Sequence, residues 1–408
     1  MVFQIWKNKR WYSLLTLFFF SVLLPFFLYL AGWSTFFTKA SDILLYIIST
    51  FEVLIILCSF LPDRTDKRKR FSYRNKILKI GKLNISWAYI MIFFVFSLSL
   101  AENLYVAHSF CPFLQGIDVH VSTMPIVGPL IRVLLPISLA MDYLEFRQNK
   151  SFVIVAASFL EILYIVLGIG SRYWFLASMI FFVFFIVFIE KIDMRRISLR
   201  LLSFVLLLGV FAIAVVVFVG QKRIGAGSFS SYIQYTGPFS GTLFGEIISW
   251  YYGYFPGSYE VLNLSTQAVF EGNIYTDGKI FLMPWESILQ IRRFLPYSLE
   301  SLLSSVTICP NPGMIVPTAF LYFYADFGYF FFITPAFYIG MYWISKQSDT
   351  LFGYGVSAFL VTVFCLFSFT DMFSSAIPLW FTIIFWVVQK FLIASTPRIS
   401  VVTEAVKI

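Results

Sequence analysis

Arg132, Arg172, Arg223, Arg292 and Arg293 each fall at or near the same expected boundary of a strongly apolar chain. A guanidinium grips phosphate oxygens with a planar two-pronged fork, giving shorter and stronger bonds than a neutral donor. Arg172 is the sharpest of the five, because Gly168 to Arg172 forms a turn of a few residues between two apolar runs and keeps the cation at headgroup depth. Asp326 leads the carboxylates that could take a proton from an attacking hydroxyl, ahead of Glu246, Glu286 and Glu300. Tyr324 and Trp285 offer ring faces to a sugar, while Glu286, Asn311 and His120 offer polar groups to its hydroxyls. The combination suits displacement of a diphosphate by a hydroxyl at a membrane surface.

Each residue also has a plainer reading. Arg172 could be a cation snorkelling to lipid phosphate, Arg292 and Arg293 the charged face of an exposed helix, and Asp326 a structural residue near a helix end. Aromatic residues such as Trp250, Tyr251, Tyr252 and Trp285 also suit simple anchoring at the headgroup layer.

The elements that must carry these residues follow from composition. Of 408 residues, 59% are hydrophobic and 12% charged, against about 45–50% and about 25% in ordinary soluble domains. At roughly 20 residues per helical crossing, ten spans are expected, at 12–32, 41–61, 85–107, 127–146, 152–170, 172–190, 201–220, 327–345, 351–370 and 376–394. A transmembrane β-barrel would need alternating segments, and the run from Phe175 to Ile189 does not alternate. The expected fold class is therefore all-α, a polytopic membrane protein. Residues 1–220 hold helices one to seven, 221–326 form a large external loop between helices seven and eight, and 327–408 hold helices eight to ten and a tail.

Orientation follows from basic residues, which gather in cytoplasmic loops. Lys7, Lys9 and Arg10 precede the first span, which is expected to stay uncleaved. Nine more basic residues lie between Arg64 and Lys82, and others occupy the 147–150 turn, the 191–200 loop, Lys346 and the C-terminal tail. With ten crossings all of these share one face, so both termini are expected in the cytoplasm and 221–326 outside. The net charge of +9 is then a topology signal rather than a nucleic-acid footprint. The 62–84 loop also suits anionic lipid headgroups.

Within the large segment, 221–242 reads as irregular and Leu243 to Phe255 as interfacial. Asn263 to Gly278 reads as turn formers, and Ile288 to Leu303 as an amphipathic helix interrupted by Pro296. Pro317 opens a helix on which Thr318, Tyr322 and Asp326 share one face. His108 and His120 have no acidic or cysteine partners at metal spacing, and there is no Walker loop or H-E-x-x-H, so no metal and no cofactor are expected. Cys111 and Cys309 both lie outside, where either a disulfide or two free thiols is open. Glu52 and Glu161 fall mid-span, where an ionisable group suggests function. A proton-coupled transporter is one reading of them and a packing contact the other.

The external face has no supply of nucleotide sugars, so group transfer there needs a donor delivered through the membrane, such as a polyprenyl diphosphate glycan. Here the chain resembles the O-antigen polymerases of the Wzy type, in Gly170 to Arg172, in the large late external loop, and in Asn311 to Gly328 with its Tyr324, Asp326, Phe327 and Gly328. The similarity of plan spans nearly the whole chain, although neither Arg172 nor Arg223 has a glycine at the spacing some members show. The resemblance implies a GT-C-like glycosyltransferase of the bacterial inner membrane, active at the periplasmic face in lipopolysaccharide biosynthesis. It would move a growing glycan from undecaprenyl diphosphate onto a lipid-linked repeat unit, with Arg172 as the basic site and Asp326 as the acid. Implied partners are the undecaprenyl-diphosphate-linked oligosaccharide, membrane lipids and a chain-length regulator. An O-antigen ligase uses the same donor and is the nearest alternative; a lipid-linked oligosaccharide flippase is the alternative from another class.

Overall fold

The computed structural model describes residues 14–59, 71–80, 83–112, 127–169, 172–190, 203, 207, 217, 228–289, 299–309, 317–348, 350–368, 372 and 375–397. In chain order these form α1 (Leu14–Phe18), a π-helical turn (Phe19–Leu23), α2 (Leu24–Leu30), α3 (Asp42–Ser59), β1 (Phe71–Asn75), β2 (Ile77–Ile80), β3 (Leu83–Ser86) and α4 (Trp87–Ala107). Next come α5 (Val127–Asn149), α6 (Phe152–Ile169), α7 (Arg172–Glu190), α8 (Phe229–Tyr232), α9 (Leu243–Tyr254), α10 (Pro256–Gly272), α11 (Lys279–Ile288) and α12 (Leu299–Val306). The chain closes with α13 (Ala319–Phe327), a 3-10 turn (Gly328–Phe330), α14 (Ile333–Gln347), α15 (Leu351–Cys365), α16 (Ile377–Leu392) and β4 (Ile393–Pro397).

The protein is mostly helical, and several helices suit a membrane. Among the described residues α3, α4 and α5 are long and apolar enough to cross one. A fourth span results if α13 and α14, bent by 110° at their junction, are taken together. Other apolar helices, among them α15 and α16, are shorter. The 201–220 span expected from sequence falls almost wholly outside the described residues.

The bundle is packed by aromatic rings. Phe181 of α7 lies 5.5 Å from Phe381 of α16, and Phe381 stacks on Phe359 of α15 at 4.1 Å. Gly355 lets α15 meet α16 closely, since a Cβ there would come within 2.0 Å of the Phe385 ring. Where the backbone leaves the helical ladder, side chains take over its hydrogen bonds, as an apolar interior requires. The π-helical turn frees carbonyls in this way. Val22 O accepts from the Tyr259 hydroxyl at 2.9 Å and Ser21 O accepts from Ser368 Oγ, tying α10 and the end of α15 to the first helix.

Strands appear where a helical chain with coil loops was expected. Phe71–Asn75 pairs antiparallel with Ile393–Pro397, and β2 pairs with β3. This joins the basic 62–84 region to the C-terminal segment. Asn75 Nδ2 also donates to Met141 O at 2.8 Å and to Glu145 Oε2 at 3.1 Å, and Arg147 pairs with Glu190 at 3.0 Å. Four regions expected on one face by charge therefore meet at one end of the bundle. At the other end, Ser34 bridges to Tyr235, and Trp33 N donates to the Tyr252 hydroxyl at 2.6 Å.

Mid-span Glu161 is not isolated. Glu102, Asp142, Glu145 and Glu161 are all buried on α4, α5 and α6. Ser158 donates to Asp142 at 2.6 Å and Ser138 to Glu161 at 3.2 Å. Glu52 is only half-buried on α3. Cys111 and Cys309 are both free thiols.

Candidate functional site

The large segment is not an appendage. Where turn formers were expected from Asn263 to Gly278, α10 runs through Asn263 as a 17-residue interior helix. Pro256 starts it at a first-turn position and Asn273 ends it in the left-handed region, φ 50°. The polar residues of this helix are used by tertiary partners. Glu260 accepts from the Tyr29 hydroxyl at 2.9 Å, Thr38 N at 3.0 Å and Thr38 Oγ1 at 2.9 Å. Asn263 accepts from Ser41 N at 2.9 Å and donates to Lys39 O at 3.1 Å.

Beside α10 lies α13, every residue of which from Ala319 to Asp326 is buried. The expected polar stripe of Thr318, Tyr322 and Asp326 thus faces protein rather than a membrane entrance. Asp326 uses both carboxylate oxygens: Oδ1 accepts from the Thr276 hydroxyl and from Ile280 N at 3.1 Å, and Oδ2 accepts from Phe281 N at 2.6 Å. Ile280 and Phe281 are in the first turn of α11, whose cap position is Gly278, a residue with no side chain to offer. A carboxylate from α13 therefore caps α11 from outside, satisfying amides that a helix start leaves open and complementing its dipole.

The rest of the Tyr-x-Asp-Phe-Gly run supports the same junction. Phe327 packs its ring 6.0 Å from Phe281. Gly328 takes φ 53°, and a Cβ there would stand 3.2 Å from Tyr275. Tyr324 is fully buried, its ring 6.3 Å from those of Tyr275 and Tyr329, so it offers no face to a sugar in this state. On α11, Trp285 is 40% exposed and open to a ligand, whereas Glu286 is buried.

Asp326, Tyr324, Trp285 and Glu286 are thus brought together around α11 and α13. Arg132 is half-buried on α5. Arg172 is the first residue of α7, its side chain outside the described part. Arg223, Arg292, Arg293, Asn311 and His120 lie outside the described residues. The expected helix from Ile288 to Leu303 resolves into the end of α11 and the start of α12, with 290–298 likewise outside. Among the described residues no group of His, Cys, Asp or Glu is arranged to hold a metal ion.

Compared with known protein families, curated proteins and solved structures, the chain matches none.

Sequence reasoning missed Glu260, Asn263, Thr276 and Thr38, whose roles depend on partners far along the chain. The signal for the cap was present in Asp277-Gly278, which starts α11 with no capping side chain.

A second carboxylate organises the neighbouring elements. Glu246, in the first turn of α9, accepts from Phe229 N at 2.6 Å, Ser228 Oγ at 3.0 Å and Ser230 N at 3.2 Å. Burial alone would push its carboxyl up, but the bonds from Ser230, Phe229 and Ser228 together hold it below the usual range. A carboxyl depressed on folding contributes stability above its unfolded pKa, and the contribution is lost as pH falls through the folded value. The detergent-solubilised protein should therefore lose more thermal stability between pH 6 and pH 3 than its Glu246→Gln variant. Parallel pH profiles for the two would contradict this linkage.

Proposed function

We propose that the protein is a membrane glycosyltransferase that polymerises lipid-linked oligosaccharide repeat units, an O-antigen polymerase of the bacterial inner membrane. The growing glycan leaves undecaprenyl diphosphate and joins a hydroxyl of another lipid-linked unit at the periplasmic face. Arg172, Arg223, Arg292, Arg293 and Arg132 hold the donor diphosphate, and Trp285 with its neighbours contacts glycan.

The observation that supports this reading is the direction of α7. Its last residue, Glu190, pairs with Arg147 at the end where the basic loops gather. Its first residue, Arg172, is a helix of 19 residues away, or about 28 Å at 1.5 Å per residue. The start of α7 therefore lies away from the basic loops, on the face where a diphosphate donor anchored at headgroup depth would need a cation.

Deletion of the gene in its host tests the proposal. Polymerase loss leaves lipopolysaccharide carrying a single repeat unit, whereas ligase or flippase loss leaves none attached. An unchanged ladder on the gel, or complete absence of attached units, rules the polymerase out.

A further inference from the structure

We propose that Tyr46, Phe270, Tyr275, Tyr324 and Tyr329 form a saccharide subsite beside the Asp326 cap. This rests on the polymerase reading above and gives the glycan of a lipid-linked repeat unit its docking place. The five side chains come from α3, α10, the approach to α11, α13 and the 3-10 turn that follows α13. Thr276, next to Tyr275, donates to Asp326, two residues beyond Tyr324, so the cluster adjoins the junction already described. Tyr46 stands one turn inside α3, and α10 holds residues 38 and 41 just before that helix.

The outer part of the cluster is a set of open rings. Tyr329 is 48% exposed, Phe270 46% and Tyr46 36%. The Tyr329 ring lies 5.4 Å from that of Tyr46 and 6.3 Å from that of Phe270. The Tyr46 hydroxyl donates to Tyr329 O at 3.0 Å, which fixes the turn against α3. Tyr324 lies beneath, its ring 6.3 Å from those of Tyr329 and Tyr275. It has no exposed surface, yet its hydroxyl makes no hydrogen bond of ordinary length and angle. The hydroxyls of Tyr275, Tyr329 and Tyr46 are close enough to act on it electrostatically. A buried hydroxyl without a partner costs free energy, and an incoming group at the open rings can supply the missing bond.

Chemistry narrows the occupant to a sugar. All five side chains are neutral at pH 7, whereas a phosphate is gripped by cations and a hard metal ion by carboxylates and carbonyls. An acyl tail would cover the rings but leave the hydroxyls unpaired. A pyranose meets both demands, with C–H faces for the rings and hydroxyls that donate and accept.

The test reads binding rather than turnover. The probe is the free oligosaccharide released by mild acid from the host's lipid-linked repeat unit, titrated into the detergent-solubilised full chain and followed by saturation-transfer NMR. Tyr324→Phe, which removes only the hydroxyl, should weaken binding by about fivefold, the share of one hydrogen bond. Tyr329→Ala, which removes an open ring, should weaken it by at least about threefold. Phe244→Ala, another exposed aromatic residue outside the cluster, should bind as wild type does. Tyr324→Phe should also unfold no earlier than wild type, because its hydroxyl has no bond to lose. A marked fall in its stability would show the hydroxyl already used within the fold and overturn the subsite. Binding unchanged in either Tyr324→Phe or Tyr329→Ala overturns it too, the second result assigning the rings to the bilayer. So does a wild-type protein that binds no oligosaccharide, a result that leaves the polymerase reading to the deletion gel. Binding that follows the expected pattern while that gel shows an unchanged ladder keeps the subsite and removes the polymerase.

Discussion

Glu260→Ala should lower the unfolding free energy by roughly 2–4 kcal/mol, the scale expected when a buried acceptor is removed from several donors. Glu260 is fully buried on α10 and receives three hydrogen bonds from Tyr29 and Thr38. The linker it holds, between α2 and α3, has no regular backbone partners of its own at Thr38, so α10 supplies them. On truncation the Thr38 amide loses its carboxylate acceptor, while Tyr29 keeps its bond to Thr38 O at 3.0 Å. The estimate is therefore less than three full bonds. Gln267→Ala is the matched control one turn beyond Asn263, since it removes a single 3.3 Å bond to that side chain, and about 0.5 kcal/mol or less is expected. Denaturant unfolding in detergent measures both. A Glu260→Ala loss no larger than the control would mean that the linker is held by something other than α10.

The helical plan was legible because long apolar runs announce themselves by length. Nine of the ten apolar runs overlap described helices, beginning with the run from Leu14 to Leu30, although among the described residues only α3, α4 and α5, or four spans with α13 and α14 joined, are long and apolar enough to cross a membrane. Charge was legible too: the regions around Asn75, Arg147, Glu190 and Ile393 were grouped by their basic residues, and they do meet at one end. What stayed hidden depends on distant partners. Nothing local in Pro256 to Gly272 distinguishes a helix in solvent from one whose Glu260 and Asn263 serve residues 38 to 41, more than two hundred positions earlier. The strands at 71–75 and 393–397 were hidden for the same reason, since each completes the other across most of the chain. At the site, the place of Asp326 near a helix end was readable, but the helix it caps and the direction of its carboxylate were not. The break at Gly328 likewise shortened the expected 327–345 span to a helix that starts at Ile333.

Arg172→Ala should reduce polymer formation by about 10²–10³, the scale of losing one preorganised donor from an anionic transition state, and collapse the polysaccharide ladder to single units. The protein itself should accumulate normally. Arg172 opens α7, and a cation at a helix N-terminus opposes the macrodipole, so helix stability gives no reason for arginine there. Alanine is in addition the better helix former. Lipid phosphate and substrate diphosphate are the two anions at headgroup depth that such a cation could serve, and Arg172→Lys separates them. Lysine snorkels to headgroups as readily as arginine but lacks the planar fork that grips two phosphate oxygens at once. A substrate role predicts at least about a tenfold loss for lysine, the equivalent of one strong hydrogen bond, and a lipid role predicts none. If membranes carrying equal amounts of the Arg172→Ala and Arg172→Lys proteins both yield full-length polysaccharide, Arg172 serves the bilayer alone and the donor is held elsewhere.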